Sequence, residues 1–136
     1  MNARISRQLL VAPLLAAALL GAGCGGSDAD KVKNVTNDFF NALKDGDGGK
    51  ACDALAADTA KQAVTDGKSC EENITAAVKQ AGADQFKGAK ISISNVKVTG
   101  KTATAHVVTS SDKNPKEEND FKYAKEGGDW KVVSFQ

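Results

Sequence analysis

The sequence predicts an α+β domain in which N-terminal helices pack on a curved antiparallel sheet of about four strands, behind a signal segment. Three observations predict it. Apolar residues recur at helical spacing through Val32, Val35, Phe39 and Leu43, and again through Cys70, Ile74, Val78 and Ala81. From Ile91 onward the period drops to two, punctuated by Gly100 and by Gly127 and Gly128. The first alternating run, ISISNVKVT, breaks its own parity, because Ile91 and Ile93 are odd-numbered while Val96 and Val98 are even. One extra residue near Ser94 and Asn95 returns both pairs to one face, which is a β-bulge and a bend.

Residues 1–23 divide into a cationic start at Arg4 and Arg7, an apolar run LLVAPLLAAALL, and the small residues Gly21, Ala22 and Gly23. That order is the order of a bacterial export signal. The apolar run is well short of the roughly 20 residues a single-pass helix needs. The stretch LLGAGC resembles the lipobox of bacterial lipoprotein precursors, which implies cleavage between Gly23 and Cys24 and a diacylglycerol thioether on Cys24. Leu20 stands one position earlier than the usual lipobox leucine. The alternative is an ordinary secretory signal cut nearby that leaves Cys24 as a spare thiol. The expected organisation is a signal over 1–23, a lipidated tether over 24–28 (CGGSD) and one domain over 29–136.

Both arginines fall in the signal, so the 18 cationic residues of the 136-residue chain drop to 16 lysines against 17 acids. Without a basic excess there is no electrostatic footprint for nucleic acid. Without arginine there is no planar fork for bidentate recognition of phosphate or carboxylate. Export places Cys52 and Cys70 in an oxidising compartment, where a disulfide is the simplest reading of the pair. Two cysteines and one distant histidine make a poor closed metal site by comparison, and neither metal nor cofactor is expected.

Within the domain, Ser27 or Asp28 can cap the first helix, and Gly46 ends it near Lys44. The connector KDGDGGK offers Asp45 and Asp47 in the spacing of a calcium loop, but Lys50 and Ala56 occupy its glycine and closing-glutamate positions. Asp47 is read as a cap instead, opening a short helix with Ala51, Cys52 and Leu55 on one face. Weakly helical sequence follows to Val64, and Asp66 and Gly67 turn the chain. Ser69 and Glu72 have capping-box spacing at the start of the next helix. Strands are expected at 91–99, 102–109, around Phe121 and Tyr123, and at 130–135, with a loop from Ser110 to Glu118. Ala103, Ala105 and Val107 point inward in this reading.

A leading helix ending FFNALKDGD, a short helix carrying Cys52, the run NVKVTGKTATAHV and the closing GGDWKVVSF together resemble the nuclear-transport-factor-2-like (SnoaL-like, cystatin-like) superfamily. The resemblance spans nearly all of the chain after the signal and implies a cone, with helices laid into the concave face of a bent sheet. It records fold more than function, since members include enzymes, binding modules and assembly domains.

Residues that could edge such a cavity are Asp38, Phe39, Phe40, His106, Tyr123 and Trp130. His106 is the chain's one histidine and so the obvious candidate base, but alternation sets it opposite Ala105 and Val107, on the outer face and without an evident partner. Trp130 after a glycine turn reads as a packing anchor. The sequence therefore reads as a non-catalytic, lipid-anchored extracytoplasmic binding or accessory domain at the cell membrane, holding a small apolar ligand or a protein partner. Two other readings stay open: a cavity enzyme using His106 or Asp38 as base, and a homodimerisation or assembly domain.

Overall fold

The computed structural model describes residues 26–136; the signal segment and Cys24 lie outside the described residues. Among the described residues, five helices precede a four-stranded antiparallel sheet: α1 (Asp28–Asp45), α2 (Gly48–Asp53), α3 (Ala57–Gln62), α4 (Cys70–Ala81), α5 (Ala83–Phe86), β1 (Lys90–Thr99), β2 (Thr102–Ser110), β3 (Glu117–Glu126) and β4 (Asp129–Phe135). The strands lie in chain order as a meander.

Each long helix begins where a side chain can satisfy its free amides. Ser27 caps α1, accepting from the Asp30 N–H while the Asp30 carboxylate accepts from the Ser27 N–H, a reciprocal capping box. The helix thus opens at Asp28, one residue before the expected domain boundary. Gly46, at φ 70°, closes it in the left-handed conformation that glycine adopts without a Cβ penalty. Asp47 caps α2 through the Lys50 N–H, and Ser69 with Glu72 forms the expected box on α4. Helix α3 has no cap of its own; the Glu126 carboxylate, from the β3–β4 hairpin, accepts from its Ala57 N–H at 3.1 Å.

Cys52 and Cys70 are joined, with Cα atoms 6.2 Å apart and a sequence separation of 18. The bridge fastens α2 to the N-terminus of α4. Gly48 permits the approach, because a Cβ there would lie 2.3 Å from the Glu71 carbonyl oxygen and 2.4 Å from Thr75 Oγ1. Between the two helices, Asp66 and Gly67 turn at φ 53° and 73°, and Asn73 Nδ2 donates to the Ala63 carbonyl at 2.7 Å.

The bulge in β1 is where the parity break puts it. Ser94 pairs with His106 and Lys97 with Thr104, leaving Asn95 and Val96 opposite Ala105. Asn95 takes φ 51°, a conformation that asparagine tolerates better than most residues. Ile91, Ile93 and Val96 pack against the core, whereas Val98, at the strand's end, is 36% exposed. A second bulge, absent from the sequence expectations, lies in β4: Val132 pairs with Tyr123 and Ser134 with Lys122, so Val133 is extra. The loop after β2 is shorter than expected, since β2 runs through Ser110 and β3 already begins at Glu117. Leu55 lies beyond α2 and bridges to Val132, with Ala56 N–H donating to the Val132 carbonyl and Val132 N–H to the Ala54 carbonyl.

Helix α1 lies in the hollow of the bent sheet. Val32, Thr36, Phe39 and Ala42 on the helix meet Ala103, Ala105, Val107, Phe121, Tyr123, Trp130 and Val132 on the strands, all buried. One polar pair is sealed inside: Thr36 Oγ1 and the Tyr123 hydroxyl are 2.6 Å apart. Thr36 has a single hydroxyl proton and gives it to the Val32 carbonyl at 2.7 Å, so Tyr123 is the donor of the pair.

Two stability outcomes follow from this packing. Replacing Cys52 and Cys70 by alanine lowers unfolding free energy by about 3 kcal/mol, the chain-entropy value for a loop of this size, in urea titrations of oxidised parent and variant. Thr36→Val costs more than Tyr123→Phe, because the first strands a buried phenol while the second leaves Thr36 still donating to Val32. The expected losses are about 1–3 kcal/mol and about 1 kcal/mol respectively, and equal losses would contradict the donor assignment.

Candidate functional site

The interior of the cone is occupied by its own side chains, so open space lies at its margins. A groove of about 560 Å³ runs along the outer side of α1 where that helix meets α2 and the start of β4. Its α1 wall is a stripe at helical spacing, Lys31, Asn34, Asp38, Asn41 and Asp45, with Val35 and Ala42 at its floor. The facing wall is Lys50 and Asp53 from α2, Ala54 just beyond it, and Asp129, Trp130 and Lys131 from β4. The bridge from Leu55 to Val132 holds those two segments side by side.

Four carboxylates and three ammonium groups thus face one space. Part of this charge is already committed. Lys131 Nζ donates to the Asp53 carbonyl, and Lys50 Nζ lies 3.1 Å from Asp47. Asn34, Asp38 and Asn41 make no side-chain hydrogen bond among the described residues, and all three are exposed. They present amides that both donate and accept, flanking a carboxylate that accepts.

At the groove's end, α1 is locked to the β3–β4 hairpin. Asp28 Oδ1 accepts from Trp130 Nε1 at 3.1 Å and from Lys125 Nζ at 3.1 Å, and that ammonium also sits 5.7 Å from the Trp130 ring centre. The Trp130 N–H and then Lys125 hold the Asp28 carboxyl below its ordinary range. Trp130 itself is only 3% exposed, so it forms floor rather than a stacking platform.

The six residues named as cavity candidates are not gathered in one place. Asp38 and Trp130 border this groove. Phe39 and Tyr123 are buried core, and burial pushes the Tyr123 phenol up to about 12. Phe40 packs 5.8 Å from Phe121 and borders a separate hollow of about 130 Å³, formed with Phe86, Ala89 and Pro115. His106 lies on the outer face of the sheet, and it has partners that the sequence did not reveal. Nδ1 is 2.9 Å from Asp120 Oδ1, directly across the strand pair, and Nε2 is 3.6 Å from Glu118. Asn41, Asp53 and Asp129 had no sequence signal beyond polarity, and Asn34 only its N-x-T context.

The outer face holds a further hollow of about 520 Å³, bordered by Lys97, Thr102, Thr104, Lys122 and Val133. It is built from the sheet alone. The groove beside α1 differs in drawing hydrogen-bonding groups from three elements.

Comparison with solved structures shows the fold. The chain is similar to an NTF2-like protein of unknown function from Methylobacillus flagellatus, with TM-score 0.62 and 22% identity over 83% of this chain and 92% of that one. It is similar to a protein from Shewanella frigidimarina described as a "putative ketosteroid isomerase", with TM-score 0.53 and 22% identity over 77% and 92% of the two chains. A Nostoc punctiforme protein of unknown function with a cystatin-like fold superposes at TM-score 0.55, with 17% identity over 80% and 88%. None of the curated proteins matches. The domain is therefore an NTF2-like cone of helices on a curved four-stranded sheet. A family model described as "Putative lumazine-binding" matches residues 27–135, and the chain belongs to that family.

Proposed function

We propose that this is a non-catalytic binding domain, held by lipid on Cys24 at the extracytoplasmic face of a bacterial membrane, that takes a small polar heterocycle of the lumazine kind in the groove beside α1. The observation that carries the ligand reading is the unspent set Asn34, Asp38 and Asn41 facing α2 and β4 across a ligand-sized space. A lumazine is planar, with an edge of alternating N–H and C=O groups. Carboxamides match both kinds of group, and Asp38 accepts from a ring N–H. The amides and carboxylate of this wall suit a polar heterocycle, and the reading therefore differs from the small apolar ligand expected from the sequence.

The binding reading is supported against catalysis by where the two candidate bases stand. Asp38 is on the outer side of α1 and His106 on the far face of the sheet, so they cannot share a substrate. Tyr123, the chain's one tyrosine, gives its hydroxyl to Thr36 inside the core. The outer sheet face is polar around its centre, through Ser94, Thr104, His106, Asp120 and Lys122, which favours a monomer over a dimer formed by burial of that face.

The lipid reading rests on the order of cationic start, apolar run, small residues and cysteine in residues 1–24. A diacylglycerol thioether supplies two chains, the number that stable anchoring requires.

Trp130 is the only tryptophan and forms part of the groove, so its fluorescence reports occupancy. Titrating lumazine is expected to change that signal saturably. Asn34→Ala and Asn41→Ala each weaken binding roughly fivefold, the equivalent of about 1 kcal/mol for one hydrogen bond, while His106→Ala leaves it unchanged. Absence of saturable binding by both fluorescence and calorimetry would falsify the ligand reading. Separately, the intact mass of the membrane-extracted protein is expected to begin at Cys24 with a diacylglycerol attached; a chain with an unmodified Cys24 contradicts lipid anchoring at this residue.

A further inference from the structure

The structure fixes which end of the cone the N-terminal chain leaves from. In the meander, the β1–β2 turn at Gly100 and the β3–β4 turn at Gly127 and Gly128 lie at one end of the sheet. The start of α1 lies at that same end, because Asp28 is hydrogen-bonded to Lys125 and Trp130 on the β3–β4 hairpin. Lys101 is adjacent, its carbonyl accepting from the Lys125 N–H at 2.9 Å. The other end holds α5 and the loop at 111–116, where Phe40 of α1 borders one hollow together with Thr109 and Glu117. Helix α1 therefore runs the length of the cone, about 27 Å for its 18 residues.

Three peptide steps separate Cys24 from the cap residue Ser27. Three residues reach at most about 10 Å even when fully extended, roughly a third of the helix that follows. We infer that the hairpin-turn end of the cone, carrying Gly100, Lys101 and the β3–β4 turn, is a membrane-facing surface that rests against lipid headgroups. The end with α5 and the 111–116 loop faces away. This inference rests on the lipid-anchor reading.

The chemistry of this end suits such contact. Three carboxylates at this end carry internal donors: Asp28 holds Lys125 and Trp130, Asp30 holds Ser27, and Glu126 holds the Ala57 N–H; Asp129, exposed beside the β3–β4 turn, carries none among the described residues and is offset by Lys101. Lys101 is exposed at the turn and forms no ion pair among the described residues. An anionic headgroup layer thus meets an ammonium group beside the anchor, where charge attraction is strongest within a Debye length of about 10 Å. The consequence for the groove is directional. Its Lys31, Asp129 and Trp130 end opens close to the headgroups, while its Asp45 end lies toward the far side of α1.

The test uses the full chain, processed and lipidated in its host, placed in vesicles of phosphatidylcholine and phosphatidylglycerol that carry a nitroxide on the headgroup. Lys101→Cys and Lys113→Cys, both at exposed turn positions, each take a fluorescent label, with near-ultraviolet circular dichroism confirming the parent fold. Flotation with the vesicles is measured first. The expected result is flotation of both proteins and several-fold stronger nitroxide quenching at position 101 than at 113. Flotation with equal quenching, or with stronger quenching at 113, overturns the orientation while leaving the anchor standing. Failure to float overturns the anchor reading and the orientation with it.

Discussion

The architecture depends on a constraint in the sheet's two outer strands. The central strands β2 and β3 pair without interruption, while β1 and β4 each carry one extra residue, at Asn95 and Val133. An extra residue in an outer strand increases local twist and bends that strand relative to its neighbour. With both edges bent, the sheet forms a hollow deep enough for an 18-residue helix to lie against its face. The apolar stripe of α1 meets Ala103 and Ala105 at the centre, whose small side chains permit close approach, and larger rings fill the rest. The hydrogen bond from Tyr123 to Thr36 then fixes the helix at one rotation and one depth, since a shift would strand a buried phenol in an apolar layer.

That close fit decides where function can reside. A hollow filled by its own helix leaves no room inside for a ligand, and the groups that remain unspent lie along the side of α1 turned away from the sheet. Their second wall exists because the chain after α2 adds itself to the edge of β4 through the pairing of Leu55 with Val132. The same contact protects part of an otherwise open strand edge. The disulfide adds to this arrangement at one remove, by fastening α2 to α4 behind the groove.

Local chemistry made much of the fold legible. Capping residues, the period switch at Ile91 and the parity break in ISISNVKVT are properties of neighbouring residues, and the structure realises each of them. The second bulge carried the same signal in DWKVVSF, where Trp130 and Val132 are even and Phe135 is odd. What sequence could not supply was adjacency between distant segments. Asp120 lies across from His106 only because β3 begins at Glu117 and not later. Asn34 and Asp129 face one groove only because α1 packs against β4. To a reading along the chain, both look like ordinary solvated positions.

The interior of the cone is packed, and the proposed ligand enters the groove outside α1. A two-dimensional amide NMR titration of the domain with lumazine tests this directly. Shifts confined to Asn34, Asp38, Asn41, Asp53, Asp129 and their neighbours are expected, with the Tyr123 and Phe121 amides unmoved. Shifts centred instead on Phe40, Phe86, Phe121 and Tyr123 would show ligand entering the cone and would contradict this placement.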